Sequence, residues 1–287
     1  MKCSTVRVTR RTFAFPFLVG VLLAQPSPTS KWSLAQKEQF LLTATILNEQ
    51  FAGKGITKSQ KATLFDGHVT HAAHIQSIDV YSPLFKGKDG SKEMDFKDSW
   101  KFNVAAYRLA KLLNLDDMVP VSVARTVDGR PSSIDWWVDG VLMDERERVD
   151  KNIQAPDSAR WRGQMDTIRI FDQLIYNMDR SQENLLITNN WDVWMIDHTR
   201  AFRKWTSLRN PAAVTQCKPE LLQALKNLRR SDVARDLGPF LTNVEIDGLM
   251  ARRDLIVAKL EGRSDGVSIQ RPGATSTAAK TSKSFRH

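Results

Sequence analysis

Two acidic residues and an amide lie close together in the second half of the chain. Residues 171–180 read FDQLIYNMDR, Asn184 follows, and residues 193–202 read VWMIDHTRAF. The first stretch ends a predicted helix, and short predicted strands come after Asn184 and before Asp197. Asp179, Asn184 and Asp197 are therefore expected in loops or at strand ends, where functional sites are commonly built.

The spacing of these three side chains fits the needs of phosphoryl transfer. Asp179 precedes Asn184 by five residues, the separation of the catalytic Asp and the metal-binding Asn in a kinase catalytic loop, and Asp197 follows where a second metal-binding Asp belongs. Asn184 and Asp197 would hold Mg or Mn against the phosphates of ATP, while Asp179 would orient the attacking hydroxyl. The alternative is that Asp179 and Asn184 form turns and Asp197 caps a helix.

The flanking residues add a resemblance to a known family. The pattern N-x-D-R, then N, then I-D-x-x-R-x-F over residues 177–202 resembles the catalytic and metal-binding segments of atypical kinases. It is most similar to the secretory-pathway casein kinases and more distantly similar to HipA-type and phosphatidylinositol kinases. Residues 103–109 (NVAAYRL) and 112–115 (LLNL), followed by Val119-Pro120, resemble the small-lobe helix and the strand after it. The resemblance covers roughly residues 57–205. Its motifs are specific only when taken together, since each one alone is weak.

This resemblance implies an α+β, two-lobed protein-kinase-like fold with a strand-rich small lobe and a helical large lobe. It also implies that the chain binds a metal–nucleotide complex and transfers phosphate to a protein or small-molecule hydroxyl. The alternative is a catalytically inactive pseudokinase that binds nucleotide or serves as a scaffold. The predicted organisation is a signal peptide (1–24), an N-terminal helical segment (25–56), a small lobe (57–140), a large lobe (141–261) and a disordered basic tail (262–287).

Two positions depart from the family pattern and favour the inactive alternative. In active members a Lys on a small-lobe strand pairs with a Glu on the helix, and this pair holds the nucleotide phosphates. Alignment places Gln76 at the Lys position and Asn103 at the Glu position, so a neutral, hydrogen-bonded pair of amides would face the nucleotide. Lys61, on the adjacent predicted strand, is the candidate for a migrated Lys, with Lys54 and Lys58 as alternatives.

Periodicity and turn signals predict the remaining elements of the small lobe. A helix is predicted over residues 33–51, a hairpin turn at Asp66-Gly67, and a second helix over residues 100–113. The charged stretch 139–151 is interpreted as a solvated surface segment. Three histidines are spaced by three residues, namely His68, His71 and His74. This spacing places them neither on one face of a strand nor at the i, i+4 positions of a zinc-protease helix. We therefore predict no metal site from them.

The basic character of the chain is concentrated at its two ends. The 287 residues carry a formal charge of +10 at pH 7. Residues 1–24 contain four bases and no acid, and residues 262–287 contain five bases and one acid, which leaves the body near +2. A groove for nucleic acid requires clustered bases in the folded body, so we expect no nucleic-acid partner.

The N-terminal segment has the pattern of an export signal. A basic stretch precedes the apolar run Phe13–Ala24, and Gln25-Pro26-Ser27-Pro28 then breaks it. Thr9-Arg10-Arg11-Thr12-Phe13 resembles a twin-arginine signal. A periplasmic or secreted protein is predicted, with no stable membrane span in the mature chain because the run is too short. A buried N-terminal strand or an uncleaved anchor are the alternatives.

Overall fold

The computed structural model describes residues 29, 31–51, 60–87 and 90–262. The predicted signal peptide, Lys54, Lys58 and the predicted tail after Gly262 lie outside these residues. The chain divides into two compact units, Met1–Lys31 and Trp32–His287. All of the described helices and strands belong to the second unit.

Strands predominate before residue 137 and helices after it. The first part contains α1 (Leu34–Thr43), β1 (Thr45–Phe51), β2 (Gln60–Phe65), β3 (Thr70–Gln76), β4 (Asp79–Lys86), β5 (Lys92–Ser99), α2 (Lys101–Leu112), β6 (Ser122–Val127) and β7 (Arg130–Trp136). The second contains β8 (Val141–Asp144), α3 (Glu145–Asp150), α4 (Ser158–Ile175), β9 (Leu185–Thr188), β10 (Val193–Met195), α5 (Pro219–Asn227), α6 (Arg230–Leu237) and α7 (Asn243–Leu260), with short 3-10 helices at Gln182–Asn184 and Pro211–Ala213.

An antiparallel five-stranded sheet forms the small lobe, in the order β1-β2-β3-β7-β6. Consecutive strand residues point to opposite faces, and β7 shows what each face contacts. Trp136 faces α1, where its ring centroid lies 5.8 Å from that of Phe40. Asp135 faces α2, where it accepts a hydrogen bond from Asn103. One face of the sheet is therefore apolar, and the other presents polar side chains toward α2.

The large lobe is built on α4 and α7, which pack against each other. Asp157 caps the start of α4 by accepting from the N–H groups of Ala159 and Arg160, and Tyr176 ends it in the left-handed conformation with φ 51°. Because this residue redirects the chain, the segment that begins at Asn177 leaves the helix axis and runs toward the strands. The strands β10, β9 and β8 form a three-stranded sheet. Within the described ranges, no helix combines the length and the apolar character that a membrane crossing requires.

The predicted α+β, two-lobed protein-kinase-like fold is confirmed by this order of elements. The helix predicted over residues 100–113 is present as α2, and the helix predicted to end within residues 171–180 is present as α4. The Asp66-Gly67 turn joins β2 to β3, and the Asp66 carboxylate accepts from the N–H groups of His68 and Val69 at 2.8 and 2.7 Å. The lobe boundaries at residues 57–140 and 141–261 remain predictions.

The helix predicted over residues 33–51 is wrong after Thr43, so among its described residues the predicted helical segment 25–56 is an α-helix only over Leu34–Thr43. Ala44 is extended, with φ −61° and ψ 144°, and residues 45–51 form β1, which pairs with β2 from Thr45↔Phe65 onward. Residues 43, 45 and 46 are β-branched, which disfavours a helix. The pairing with β2 satisfies the backbone hydrogen-bonding groups of residues 45–51. Such a long-range partner cannot be inferred from the apolar periodicity of the segment itself.

Two parts of the chain form helices or strands that were not expected from the sequence. The stretch 139–151 contains β8 and α3; most of its residues are exposed, as the interpretation as a surface segment requires, but Glu145 is buried against Arg148. β4 and β5 form a separate two-stranded hairpin inserted between β3 and α2. Most of the β4 side chains are exposed, so the hairpin lacks the apolar alternation that identifies a strand in a sequence.

Candidate active site

A cavity of about 350 Å³ opens between the polar face of the sheet and the segment that follows α4. Four of the predicted site residues line it together, namely Gln76, Asn103, Asn184 and Asp197. They come from β3, α2, the 3-10 helix before β9 and the turn after β10. The structure therefore brings to one place residues that lie up to 121 positions apart in the chain.

Asp179 lies beside this cavity on an exposed loop. Its side chain is 61% exposed, its N–H donates to the Asn177 side-chain oxygen at 3.0 Å, and its carbonyl accepts from the Asn184 amide at 3.4 Å. The last bond joins the predicted catalytic acid directly to a predicted metal ligand. An exposed carboxylate in this position is accessible to an acceptor hydroxyl arriving from solvent.

The loop is held to α4 and to the strand end by a largely buried ion pair. Arg180 contacts Asp172 at 3.0 Å, and its guanidinium also donates to the carbonyls of Asn184 and Ile196 at 3.2 and 2.7 Å. Asp172 in turn accepts from the Asn177 amide at 2.9 Å. Since one guanidinium bonds both to the loop and to the residue before Asp197, this pair fixes the spacing between the two halves of the site.

The β4–β5 hairpin reaches the same loop through Arg200. Glu93 on β5 pairs with Arg200 and with the buried Arg203, and the Arg200 guanidinium stacks over the Phe96 ring at 4.8 Å. The same guanidinium lies 3.6 Å from the Asp179 carboxylate. The hairpin thus positions the basic group next to the predicted catalytic acid.

Asn184 and Asp197 fit a hard divalent cation. Asp197 adopts the left-handed conformation with φ 54°, and one of its oxygens accepts from the Thr199 hydroxyl at 3.0 Å. The Asn184 amide nitrogen is turned to Asp179, which orients its oxygen the other way. Among the described residues no group of three or more His, Cys, Asp or Glu side chains suits a metal. These two side chains would hold Mg or Mn only with phosphate and water oxygens completing the shell.

The predicted hydrogen-bonded pair of Gln76 and Asn103 is wrong. The Gln76 side-chain oxygen accepts from the Ile78 N–H at 3.0 Å. The Asn103 oxygen accepts from the His198 N–H at 2.9 Å, and its amide donates to Asp135 at 3.1 Å. Both residues line the cavity as predicted, but each is bound elsewhere because closer partners compete for their amides. Asn103 instead connects α2 to the segment that carries Asp197.

Sequence reasoning missed two residues at the centre of the cavity wall, His74 and Asp135. They are cross-strand neighbours on β3 and β7, and the His74 Nδ1 atom lies 3.0 Å from the Asp135 carboxylate. His74 stands two positions before Gln76 and so shares its face of β3. That alternation is the signal in the sequence, but the pairing with Asp135 depends on strand register and is not readable from it.

Lys61, the candidate migrated Lys, lies at the edge of the cavity. It pairs in register with His74 across β2 and β3, and its ammonium group sits 4.2 Å from the centroid of the Trp137 ring. Trp137 itself lines the cavity. The phosphate-binding role assigned to Lys61 remains a prediction: its ammonium group lies next to a lining residue, but Lys61 is not among the described residues that line the cavity.

A third carboxylate, Asp98, is buried close to Asp197 and Asp179. Burial raises the pKa of Asp98, the charges of Asp197 and Asp179 raise it further, and Thr199 and Arg200 oppose the shift. One of its oxygens has no hydrogen-bond partner among the described residues. An ionised carboxylate held in this way reduces the stability of the folded state at neutral pH.

We expect Asp98→Asn to raise the free energy of unfolding at pH 7 by about 1 kcal/mol, because it removes a buried, partly unsatisfied charge. The folded-state pKa of Asp98 is above its ordinary value of 3.8. The wild-type protein therefore loses stability as pH rises from 3.8 through the folded-state pKa, because the folded form must then give up a proton that it holds more tightly than the unfolded form. In urea unfolding the gain should therefore grow as pH rises from 3.8 through the folded-state pKa of Asp98 and stay level above it. A gain that is equal at every pH, or a loss at pH 7, would contradict this account.

Comparisons with known proteins find similar solved structures only. No protein-family model and no curated protein sequence matches the chain. A Helicobacter pylori proinflammatory kinase, CtkA, matches with a TM-score of 0.47 and 12% identity, covering 78% of this chain and 95% of that one. The MAP kinase LmaMPK10 from Leishmania major matches with a TM-score of 0.30 and 9% identity, covering 80% and 86%.

Proposed function

We propose that this chain is a kinase-like phosphotransferase that binds ATP with Mg or Mn in the cavity and transfers phosphate to a hydroxyl of a protein or small molecule. The observation that carries the proposal is the convergence of Asn184 and Asp197 on one cavity wall, with the exposed Asp179 bonded to Asn184. The sequence motifs support a position near the secretory-pathway casein kinases. The predicted signal peptide supports export to the periplasm or the exterior.

Each of the three side chains has a separate role in this proposal. Asn184 and Asp197 supply an amide and a carboxylate oxygen for a divalent cation, which when bound neutralises part of the phosphate charge. Asp179 accepts the proton of the acceptor hydroxyl and orients that oxygen. Arg180 keeps the loop and Asp197 in register by bonding to the carbonyls on both sides.

A second candidate, a nucleotide-binding pseudokinase, is favoured by one observation. Of the described residues that line the cavity, none is a Lys or an Arg. The pair of charges that normally holds nucleotide phosphates is therefore missing from the wall itself. Such a protein would bind nucleotide and give no phosphorylated product.

Thermal unfolding with and without ATP and Mg or Mn tests the proposal. A nucleotide at 100 times its dissociation constant should stabilise the protein by about 2.7 kcal/mol, and neither metal nor nucleotide alone should do so fully. Incubation with labelled ATP and generic protein acceptors, or autophosphorylation, then separates the two candidates. Stabilisation with no labelled product favours the pseudokinase, and no stabilisation with any nucleoside triphosphate overturns both.

A further inference from the structure

The cavity has few side chains that can carry a positive charge. Among its described lining residues only His74 and His198 can be protonated to a cation. A nucleotide brings concentrated negative charge, which binding sites normally neutralise with Lys, Arg or oriented N–H donors. The candidate cations for contacting the phosphates are therefore these two histidines and Lys61, whose ammonium group lies over the lining residue Trp137.

His198 is unsuited to the task. It is buried, and burial, followed by the charge of Arg180, holds the pKa of His198 well below its ordinary value of 6.5. Its side chain has no carboxylate partner among the described residues that could hold a positive charge on the ring. Its Nε2 atom has no hydrogen-bond partner within the described ranges, and its backbone N–H is used by Asn103.

His74 differs from His198 in having a carboxylate partner. Its side chain is 25% exposed, and its Nδ1 atom lies 3.0 Å from the Asp135 carboxylate. Burial lowers the pKa of His74, but the hydrogen bond and charge of Asp135, together with the charge of Asp197, raise it above 6.5 overall. Since the carboxylate keeps the proton on Nδ1, the opposite nitrogen, Nε2, becomes a donor only in the imidazolium form.

Asp135 is held in place for this role by three donors. Its carboxylate accepts from the Asn103 amide at 3.1 Å, from the Ser133 hydroxyl at 3.3 Å and from the Ser122 hydroxyl. Asn103 occupies the helix position where the family resemblance places a Glu. A Glu there would set a second carboxylate against Asp135, whereas the amide donates to it. The Asn103 amide on α2 therefore suits the Asp135 carboxylate on β7, because it donates a hydrogen bond to it.

From this geometry we infer that His74, paired with Asp135, supplies the phosphate-binding cation of the cavity, in place of a Lys–Glu pair. The acidic partner has moved from helix α2 to strand β7, and the basic partner has moved two residues along the same face of β3. The inference rests on the proposed nucleotide binding and goes beyond it, because it assigns the phosphate contact to a titratable group that the sequence pattern does not indicate.

Lys61 is the competing cation. It lies on β2 directly across from His74, but its ammonium group lies over the Trp137 ring, and Lys61 is not among the described residues that line the cavity. The charged and titratable groups that face His74 from neighbouring elements are Asp135 on β7, Lys61 on β2 and Asp197 after β10. Any pH dependence of phosphate binding has to be interpreted against these three.

Calorimetric titration with ADP and with adenosine, both in the presence of Mg, separates the phosphate contact from contacts to the nucleoside. The proteins to compare are the full chain, His74→Gln, Asp135→Asn and Lys61→Gln, with His68→Gln as the matched control because His68 lies on the exposed β2–β3 turn. Loss of one charge-assisted hydrogen bond should weaken ADP binding about 10- to 100-fold in His74→Gln. Adenosine binding should be unchanged, and His68→Gln should match the wild type for both ligands.

The pH profile is a readout that a merely structural role would not move. ADP affinity of the wild type should fall relative to His74→Gln as pH rises from 6 to 8.5, because the imidazolium is lost as pH passes the raised pKa. Taking the ratio to the variant cancels the titration of ADP itself. Asp135→Asn should lower the pH at which ADP affinity falls. Because the titration of ADP is the same for both proteins, comparing the wild type directly with Asp135→Asn keeps the inference testable if His74→Gln unfolds.

The outcomes separate failure of the inference from failure of the proposed function. A wild type that binds neither ATP nor ADP with Mg or Mn overturns the proposed function. A wild type that binds ADP as tightly as His74→Gln at every pH overturns only the inference, as does an equal loss of adenosine and ADP binding in that variant. Loss of ADP binding in Lys61→Gln alone would assign the phosphate contact to Lys61 instead.

Discussion

Asp197→Ala is expected to abolish the stabilisation that nucleotide and metal give, whereas Asp179→Ala should keep most of it. Asp197 lines the cavity, and in the proposed function it would supply a carboxylate to the cation that holds the phosphates in the ground state. Asp179 is largely exposed outside the cavity wall and would act on the acceptor hydroxyl, so its interaction would strengthen mainly in the transition state. Phosphate transfer should fall in both variants, by about 100-fold or more in Asp179→Ala.

The measurement is thermal unfolding with and without ATP and Mg at about 100 times the dissociation constant, where the wild type should gain about 2.7 kcal/mol. Asp150→Ala, an exposed Asp at the end of α3, is the matched control and should gain as much as the wild type. Equal loss of ligand stabilisation in Asp179→Ala and Asp197→Ala would show that the two acids do not have separate roles.

Asp172→Ala is expected to destabilise the fold by about 3–5 kcal/mol, because it leaves the Arg180 guanidinium buried without its carboxylate. The two side chains are only 12% and 13% exposed, and Asp172 also holds Asn177. A variant that still folds should bind nucleotide more weakly, since the spacing between Asn184 and Asp197 depends on the bonds from Arg180.

Urea unfolding monitored by tryptophan fluorescence measures this loss. The exposed pair Arg160–Asp192 provides the comparison, and Asp192→Ala should cost no more than about 1 kcal/mol because the charges remain solvated. Similar losses in Asp172→Ala and Asp192→Ala would mean that the buried pair does not hold the loop.

Several features of the fold could be predicted because their causes are local. The helix α4 carries its own apolar periodicity and an Asp cap, the Asp66-Gly67 turn contains its own hydrogen bonds, and α2 has a strongly amphipathic pattern. The five-residue interval between Asp179 and Asn184 likewise lies within one loop. Side chains so close along the chain cannot be far apart in the fold.

Other features depended on partners that are distant along the chain. Residues 45–51 have an acceptable helical periodicity, yet β2 offers a full set of backbone partners and converts them to a strand. The β4–β5 hairpin was missed because its side chains are mostly exposed, and its contribution to the site comes through the pairing of Glu93 with Arg200.

The sequence alone predicts the candidate acids and amide of the site and the helices that lead to them. It also predicts that two amides, Gln76 and Asn103, stand where the family resemblance places a Lys and a Glu. Which carboxylate meets His74 and Asn103 is visible only in the folded protein. Strand register places Asp135 against His74, and the packing of α2 directs the Asn103 amide to the same carboxylate. A hydrogen bond requires its two atoms to meet at about 3 Å, and residues 61 positions apart meet at that distance only through the register of the sheet.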